Sequence, residues 1–528
     1  MTDRTAVAPT PPSVAATPGR RTAAGSDTSE AVGHLRGSSL LLAGRGLSLG
    51  VTFLAQVIIV RYLPKAEYGA FAYALSIATL LAGLTTAGLD RAVPRFLPIF
   101  QEHRDDSRFV GTILLAVATV LGLGLTAILA VVALQGVLTG SGFADRQSVA
   151  LLAILIVLAP LQAFDDLQAG LLAVVSTPGA IFVRRYVLAP GLRLLVVVLL
   201  AASGGDARFL AAGYVAASAV AVVAYAVVLW RILGRSGVIG RARQTGIELP
   251  ARDLFGFALP LLSTDLLYLV LGASDVVILG YVRGASEVAD LRAIQPLAVL
   301  NLVVLSSFTL LYTPLAARLF ARRDADGSND AYWRSAIWIA LLSFPIFIVT
   351  TTLAVPLATL LFGSRYAGSG TLLAILATGY YVNSALGFNG LTLKIHGHIR
   401  AAVLIDVTAA VVNVVANLAL IPPLGALGAA IGTGLTLVLH NVLKQVALHR
   451  KTGIALFDAS VVRVYVAIVA ATVVVWGATA LLALPTIAAA LAVAGAIAVV
   501  IGISREQLML SEVFPELRSL PLLGRLFG

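Results

Sequence analysis

The sequence predicts an all-α integral membrane protein, and three observations carry that expectation. Of its 528 residues 59% are hydrophobic and only 12% charged, with a mean hydropathy of +0.96, whereas soluble proteins carry about 25% charged residues. Apolar runs recur along the chain, each long enough to cross a hydrocarbon core of about 30 Å as a helix. These runs are continuous rather than alternating, which argues against a membrane-spanning β-barrel. Cysteine is absent, so disulfides, thiolate metal sites and cysteine nucleophiles are excluded. The net charge of +11 reads as basic cytoplasmic loops rather than as a nucleic-acid surface, because positive charge collects on the cytoplasmic side of membrane proteins.

Residues 1–36 are rich in Thr, Ala, Pro, Ser and Gly and show no hydrophobic period, as expected of a disordered cytoplasmic tail. About fourteen spans follow: 37–60, 67–88, 109–133, 148–174, 180–202, 208–231, 253–281, 285–310, 332–360, 370–394, 398–420, 424–448, 459–482 and 484–503. The ninth is read as one helix although Pro345 and Pro356 are positions at which it would kink or split. The final stretch, 504–528, alternates apolar and charged residues and is read as a cytoplasmic tail; an amphipathic segment on the inner leaflet and a disordered end both fit it.

Loop charges test this order. With the N-terminus inside, the even-numbered loops are cytoplasmic, and they hold Arg91, Arg95, Arg104 and Arg108, then Arg231, Arg235, Arg241, Arg243 and Arg252, then Arg318, Arg322, Arg323 and Arg334. Lys394 and Arg400 come next, then Lys444, Arg450 and Lys451. The odd-numbered loops are poor in basic residues, with two exceptions: Arg61 with Lys65, and Arg283 with Arg292. The alternation implies an even number of spans in the cytoplasmic membrane with both ends inside.

Spacing also implies an internal repeat. Tyr62 and Tyr281 lie 219 residues apart, Pro94 and Pro314 220, Gly179 and Gly397 218, Gly213 and Gly432 219. The expected organisation is two pseudo-symmetric six-helix lobes, 37–235 and 253–453, joined by a basic cytoplasmic linker at 236–252 and followed by a helix pair within 454–503. Both lobes start on one side, so the repeats are parallel, about an axis along the membrane normal.

The stretch 397–453 is the most informative. Two apolar runs flank IPPLGALGAA; Pro422 and Pro423 are expected to end the first helix, and Gly425 and Gly428 to allow the reversal. Asp406, Asn413 and Asn417 follow seven-then-four spacing and so share a face that lipid would reject.

The pattern N-x-x-x-N-L-x-L-I-P-x-x-G-x-x-G-A-A-x-x-T from Asn413 to Thr433 resembles the Wzx-type oligosaccharide flippases of the multidrug/oligosaccharidyl-lipid/polysaccharide exporter superfamily. Two further blocks are similar to that family: 60–98, with R-x-L-x-x-x-E-Y-G-x-F, and LFGSRYAGSG at 361–370. The resemblance covers most of 37–450. It implies a MATE-like fold and the translocation of a polyprenyl-pyrophosphate oligosaccharide for cell-surface polysaccharide synthesis. Glycosyltransferases and a polysaccharide polymerase are the implied partners.

Two lobes with polar interiors imply a cavity between them and alternating access by rocking. Arg45 in the first span and Arg193 in the fifth, beside Pro190 and Gly191, are candidate phosphate anchors, because a guanidinium binds phosphate oxygens bidentately. For Arg45 the competing reading is snorkelling to the headgroups. Arg184 and Arg185 sit near the cytoplasmic end and are read as headgroup contacts. Asp165 and Asp166 either line the substrate path or neutralise Arg193 or Arg45, and Asn413 stands in the second lobe where Arg193 stands in the first. Asp265 and Asp275, ten residues apart on roughly one helical face, with Asp406 and Asn417 offer oxygen ligands suited to Na⁺ or H⁺ coupling. Their structural alternative is pairing, with Arg292 as one partner. Tyr380, Tyr381, Phe388, Asn383 and Asn389 read as helix packing, with sugar stacking as the other use, and His396 and His398 alone make no metal site. No phosphate-binding loop motif occurs, which disfavours ATP hydrolysis. No loop is long enough to carry the catalytic carboxylates of a membrane glycosyltransferase. The competing function is a MATE-like cation-coupled multidrug exporter, which would call for an acidic, aromatic cavity.

Overall fold

The structure is a computed structural model that describes residues 44–140, 145–175 and 182–505. The expected tail at 1–36, Gly179 and nearly all of 504–528 lie outside the described residues. Among the described residues fourteen long helices follow one another: α1 Gly44–Tyr62, α2 Lys65–Glu102, α3 Asp106–Ala133, α4 Arg146–Val174, α5 Val183–Ser203, α6 Ala207–Arg235, α7 Ala251–Arg283, α8 Ala285–Ala321, α9 Ala325–Thr352, α10 Ser369–Ile395, α11 Ile399–Leu424, α12 Ala426–Thr452, α13 Val461–Leu481 and α14 Thr486–Ile503. Among the described residues thirteen are long and apolar enough to cross a membrane. The remaining one, α7, has 33 residues, and its side chains at 263–268 and 270–271 lie outside the description. No strand occurs among the described residues.

Helices α2–α6 pack mainly on one another, as do α7–α12, while α13 and α14 lean on α9. Pro94 and Pro314 each stand 29 residues after the first residue of α2 and α8, and Gly213 and Gly432 six after the first of α6 and α12. The main joint between the two sets is α2 against α8 and α7. There Tyr68, Phe71, Ala72 and Tyr73 of α2 share one apolar core with Val288, Leu291, Ile294 and Leu297 of α8. Between helices in lipid, close van der Waals fit does the work that water-driven burial does elsewhere. Glycine permits the approach: a Cβ on Gly69 would stand 1.8 Å from the Ala285 carbonyl oxygen, and one on Gly83 2.2 Å from Leu269.

Buried faces follow helical periodicity. On α11 the buried residues are Ala402, Asp406, Ala409, Ala410, Asn413, Asn417 and Ile421, a stripe at three- and four-residue steps that packs on α12. On α12, Gly428, Gly432 and Thr436 supply small residues four apart, the pattern that lets membrane helices touch.

Two local expectations change. The span read as 332–360 is two helices, α9 and a short helix Ala354–Phe362, divided at Leu353. Pro356 has no N–H for the Thr352 carbonyl, and its ring crowds that group, so the ladder stops there, whereas Pro345 is absorbed inside α9. At the second site Pro422 and Pro423 stay within the last turn of α11. The reversal is made by Gly425 alone, with φ +60° and ψ −135°, a conformation that a side chain opposes.

Gly69→Ala is expected to lower stability by about 1–3 kcal/mol, the usual cost of overpacking, because backbone faces backbone there. Gly122→Ala on α3, with nothing within 4 Å of the new Cβ, is expected to change stability by no more than about 1 kcal/mol. Unfolding of the two purified variants in the same detergent measures both.

Candidate functional site

Where α1 and α2 face α7 and α8, the helices leave a cavity of about 560 Å³. Tyr68, Ala72, Leu75, Ser76 and Thr79 reach it from one face of α2, Gln56 from α1, Leu269, Gly272 and Ala273 from α7, and Arg292, Gln295, Pro296 and Val299 from α8. Arg292 is the one charged side chain among the described residues of its wall. Its Nη1 donates to Gln295 Oε1 at 2.7 Å and its Nη2 to Ser76 Oγ at 2.9 Å, so one guanidinium is held from both helix sets. Its Nε is buried with no partner. Gln56 donates to the Tyr68 hydroxyl and, at 3.4 Å, to the Arg292 carbonyl, and Tyr380 bonds Gln295. Asp275 is buried within electrostatic reach of Arg292, with a carboxylate oxygen accepting the Val276 N–H at 2.8 Å. A cation at membrane depth is costly unless it faces protein or water. Here it is oriented, partly neutralised and adjacent to open space, and a planar fork so placed suits an anion with paired oxygens.

None of the predicted site residues with described side chains lines this cavity. Arg45 is exposed near the start of α1, next to Gly44, which packs on Phe182 and Tyr186. Arg193 is also exposed on α5; its guanidinium carbon lies 5.9 Å from the Tyr214 ring centre, and it shares a narrow crevice with Asp165, Gln162 and Ser218 between α4, α5 and α6. Asp165 pairs with Arg184 rather than with Arg193 or Arg45, through its carboxylate and its backbone carbonyl. Arg184 is therefore a buried ion-pair partner, stacked 5.2 Å from Tyr225, and not a headgroup contact. Its inward turn has a local cause. Val183–Leu188 is π-helical and the Ala189 N–H bonds the Arg184 carbonyl five residues back, a wider turn that rotates the face set by α-helical spacing. Asp166 is exposed, with Asp90 and Arg185 among its charged neighbours.

In the second set Asp406 is fully buried and accepts from His440 Nε2 at 2.7 Å and Lys444 Nζ at 2.9 Å, both on α12. Lys444, counted above among the cytoplasmic loop charges, thus belongs to a buried pair. Asn413 Oδ1 accepts from Ser274 Oγ at 2.9 Å and Asn417 Nδ2 at 3.2 Å. Asn417 Oδ1 and the Thr433 hydroxyl on α12 are buried without a partner. Asp265 lies on α7, its side chain outside the described residues. The aromatics of α10 pack as expected: Tyr381 stacks on Phe347 and Phe388 on Tyr312, while Asn383 and Asn389 bond Asn441. Among the described residues no group of three His, Asp or Glu side chains is placed to hold a metal ion.

Sequence reasoning passed over Arg292 as a site residue. Its signal was present as an exception to the loop-charge alternation, a basic residue on the wrong side of the pattern.

The sequence model of the family described as "Polysaccharide biosynthesis protein" matches residues 34–320. This chain belongs to that family. No curated protein matches it by sequence. Among solved structures, the lipid II flippase MurJ in an inward closed conformation is similar with a TM-score of 0.66 and 11% identity, over 89% of this chain and 99% of that one. A multidrug resistance MATE-family transporter of the MOP superfamily, inward-facing, is similar with a TM-score of 0.61 and 15% identity, over 78% and 98%. At such identities the likeness concerns the fold: this member of the polysaccharide biosynthesis family has the helical architecture of MOP-superfamily transporters.

In this family member the Asp406–Lys444 pair yields a stability test. Asp406→Asn, which leaves an ammonium without its counter-charge, is expected to cost about 3–5 kcal/mol. Asp406→Leu combined with Lys444→Met removes both charges and is expected to recover most of that loss in detergent unfolding.

Proposed function

We propose that this protein is a flippase that moves a polyprenyl-pyrophosphate oligosaccharide across the cytoplasmic membrane by alternating access, for cell-surface polysaccharide synthesis. The observation that carries the reading is the Arg292 guanidinium, pinned by Ser76 and Gln295 at the wall of a cavity shared by both helix sets. Membership of the polysaccharide biosynthesis family supports the glycan part of the substrate. The cavity volume is within the range of about 300–1,000 Å³ typical of ligand sites, which suits the pyrophosphate and the first sugar. The remaining glycan occupies the wetter approach and the polyprenyl tail stays in lipid. Arg45 and Arg193, both exposed, serve as secondary phosphate contacts on that approach, with Asp165 and Asp166 shaping its charge. Nothing in this cycle makes or breaks a covalent bond. Both chain ends lie in the cytoplasm, where the glycosyltransferases that build the substrate work, and a polymerase consumes the product outside. A cationic rather than acidic cavity wall favours this reading over a cation-coupled multidrug exporter.

A second reading concerns the energy source. Asn417 Oδ1, beside Asn413, and Thr433 Oγ1 on α12 are each buried without a partner, and unpaired buried acceptors are costly. A bound Na⁺ would satisfy them, since hard cations take oxygen ligands. Asp275 and Asp406 contribute charge to the same helix bundle, and Asp265 belongs to its α7.

Reconstituted into liposomes with a fluorescent polyprenyl-pyrophosphate sugar, Arg292→Ala is expected to slow flipping at least about tenfold, the loss of one charge-assisted contact. Arg292→Lys should restore part of the rate, and Arg193→Ala and Arg45→Ala should have smaller effects. An unchanged rate for Arg292→Ala removes the anchor. For the coupling reading, an outward-directed Na⁺ gradient should change the wild-type rate and leave Asn417→Ala unmoved.

A further inference from the structure

Arg61 and Lys65, one of the two exceptions to the loop-charge alternation, meet Arg365 and Asp290 at one end of the α1/α2–α8 joint. Arg61, in the last turn of α1, donates from Nε to the Leu361 carbonyl at 2.8 Å and from Nη2 to the Leu360 carbonyl. Arg365, just after the helix Ala354–Phe362, donates from Nη2 to the Val60 and Arg61 carbonyls, the latter at 2.8 Å. Each arginine thus caps the other helix set's C-terminus, where the last carbonyls have no partner within their own helix and the dipole favours a cation. One turn along, Lys65 Nζ meets Asp290 Oδ2 of α8 at 2.7 Å, and Ser369 Oγ donates to Asp290 Oδ1 at 2.7 Å. All but the Ser369 bond join α1–α2 to the second helix set. They lie beyond Tyr68, the first cavity residue of α2.

We propose that this reciprocal arginine clasp, with the Lys65–Asp290 pair, is a latch closing the cavity at its non-cytoplasmic end, and that opening there requires the latch to break. The proposal rests on the transporter reading and on the orientation with both ends inside. The latch explains why Arg61 and Lys65 persist where the loop pattern opposes them: each makes a cross-joint contact. Arg61 and Arg365 are exposed, and Lys65 and Asp290 are partly so, with side-chain exposures of 30% and 20%. Bonds of this kind are each weak enough to break and reform within a transport cycle. Their strength lies in number and in spanning one joint.

The chain has no cysteine, so Thr79→Cys on the cavity wall gives a single reporter in an otherwise unchanged protein. A membrane-impermeant maleimide is added to the outside of intact cells. Lys65→Asp, and Arg61→Ala with Arg365→Ala, are each expected to raise the labelling rate at least about fivefold, the population shift that follows from losing a partly exposed charge pair. Lys65→Asp with Asp290→Lys restores the pair in reverse and should return the rate toward the parent, which separates latch loss from misfolding. Rates equal to the parent in both latch variants, or acceleration only for reagent applied to the cytoplasmic side of inverted vesicles, overturn the proposal. The readout involves no cargo, so it stands or falls independently of which lipid-linked molecule is moved.

Discussion

Everything in this molecule answers to one constraint: a polar group at membrane depth must find its partner within the protein. The backbone meets it by being helical almost throughout. Side chains meet it in several clusters, two of which stand out. One is the α11–α12 interface, where Asp406 holds His440 and Lys444 and Asn413 holds Ser274 and Asn417. The other is the α2–α8 joint, where Arg292 draws on Ser76 and Gln295.

The two places differ in what they leave over. At α11–α12 the charges are closed off among tightly packed small residues such as Gly432, whose Cβ would stand 2.6 Å from Asn417 Oδ1. Charge there fixes how two helices of one set meet. Where α2 meets α8 and α7, packing is close at Gly69 and at Gly83 but open between them. A cation partly satisfied by protein and adjacent to that opening is available to a ligand. The joint thus combines close contact at its ends with a cavity in its middle.

Much of this was legible in the residues. The tally of long helices, the matched positions of Pro94 and Pro314, and the buried stripe 406–413–417 follow from apolar run length and helical periodicity, which are properties of a helix taken alone. Individual turns were less legible. Pro422 and Pro423 stay in the last turn of α11 and Pro345 stays inside α9, while the chain before Pro356 breaks at Leu353, and proline alone does not distinguish these outcomes. The choice of site residues was least legible. Arg184 and Arg193 look alike in sequence, and a π-helical turn buries the first against Asp165 and leaves the second exposed.

Sequence alone determined that the chain crosses a membrane repeatedly and which face of α11 avoids lipid. Those results depend on composition and on spacing within one segment. Tertiary structure alone decided which charges meet: Asp165 with Arg184, Asp406 with Lys444, Lys65 with Asp290, and Arg292 with open space. Ion pairing depends on distance between helices far apart in the chain, and a span of apolar residues carries no record of which neighbour it will face.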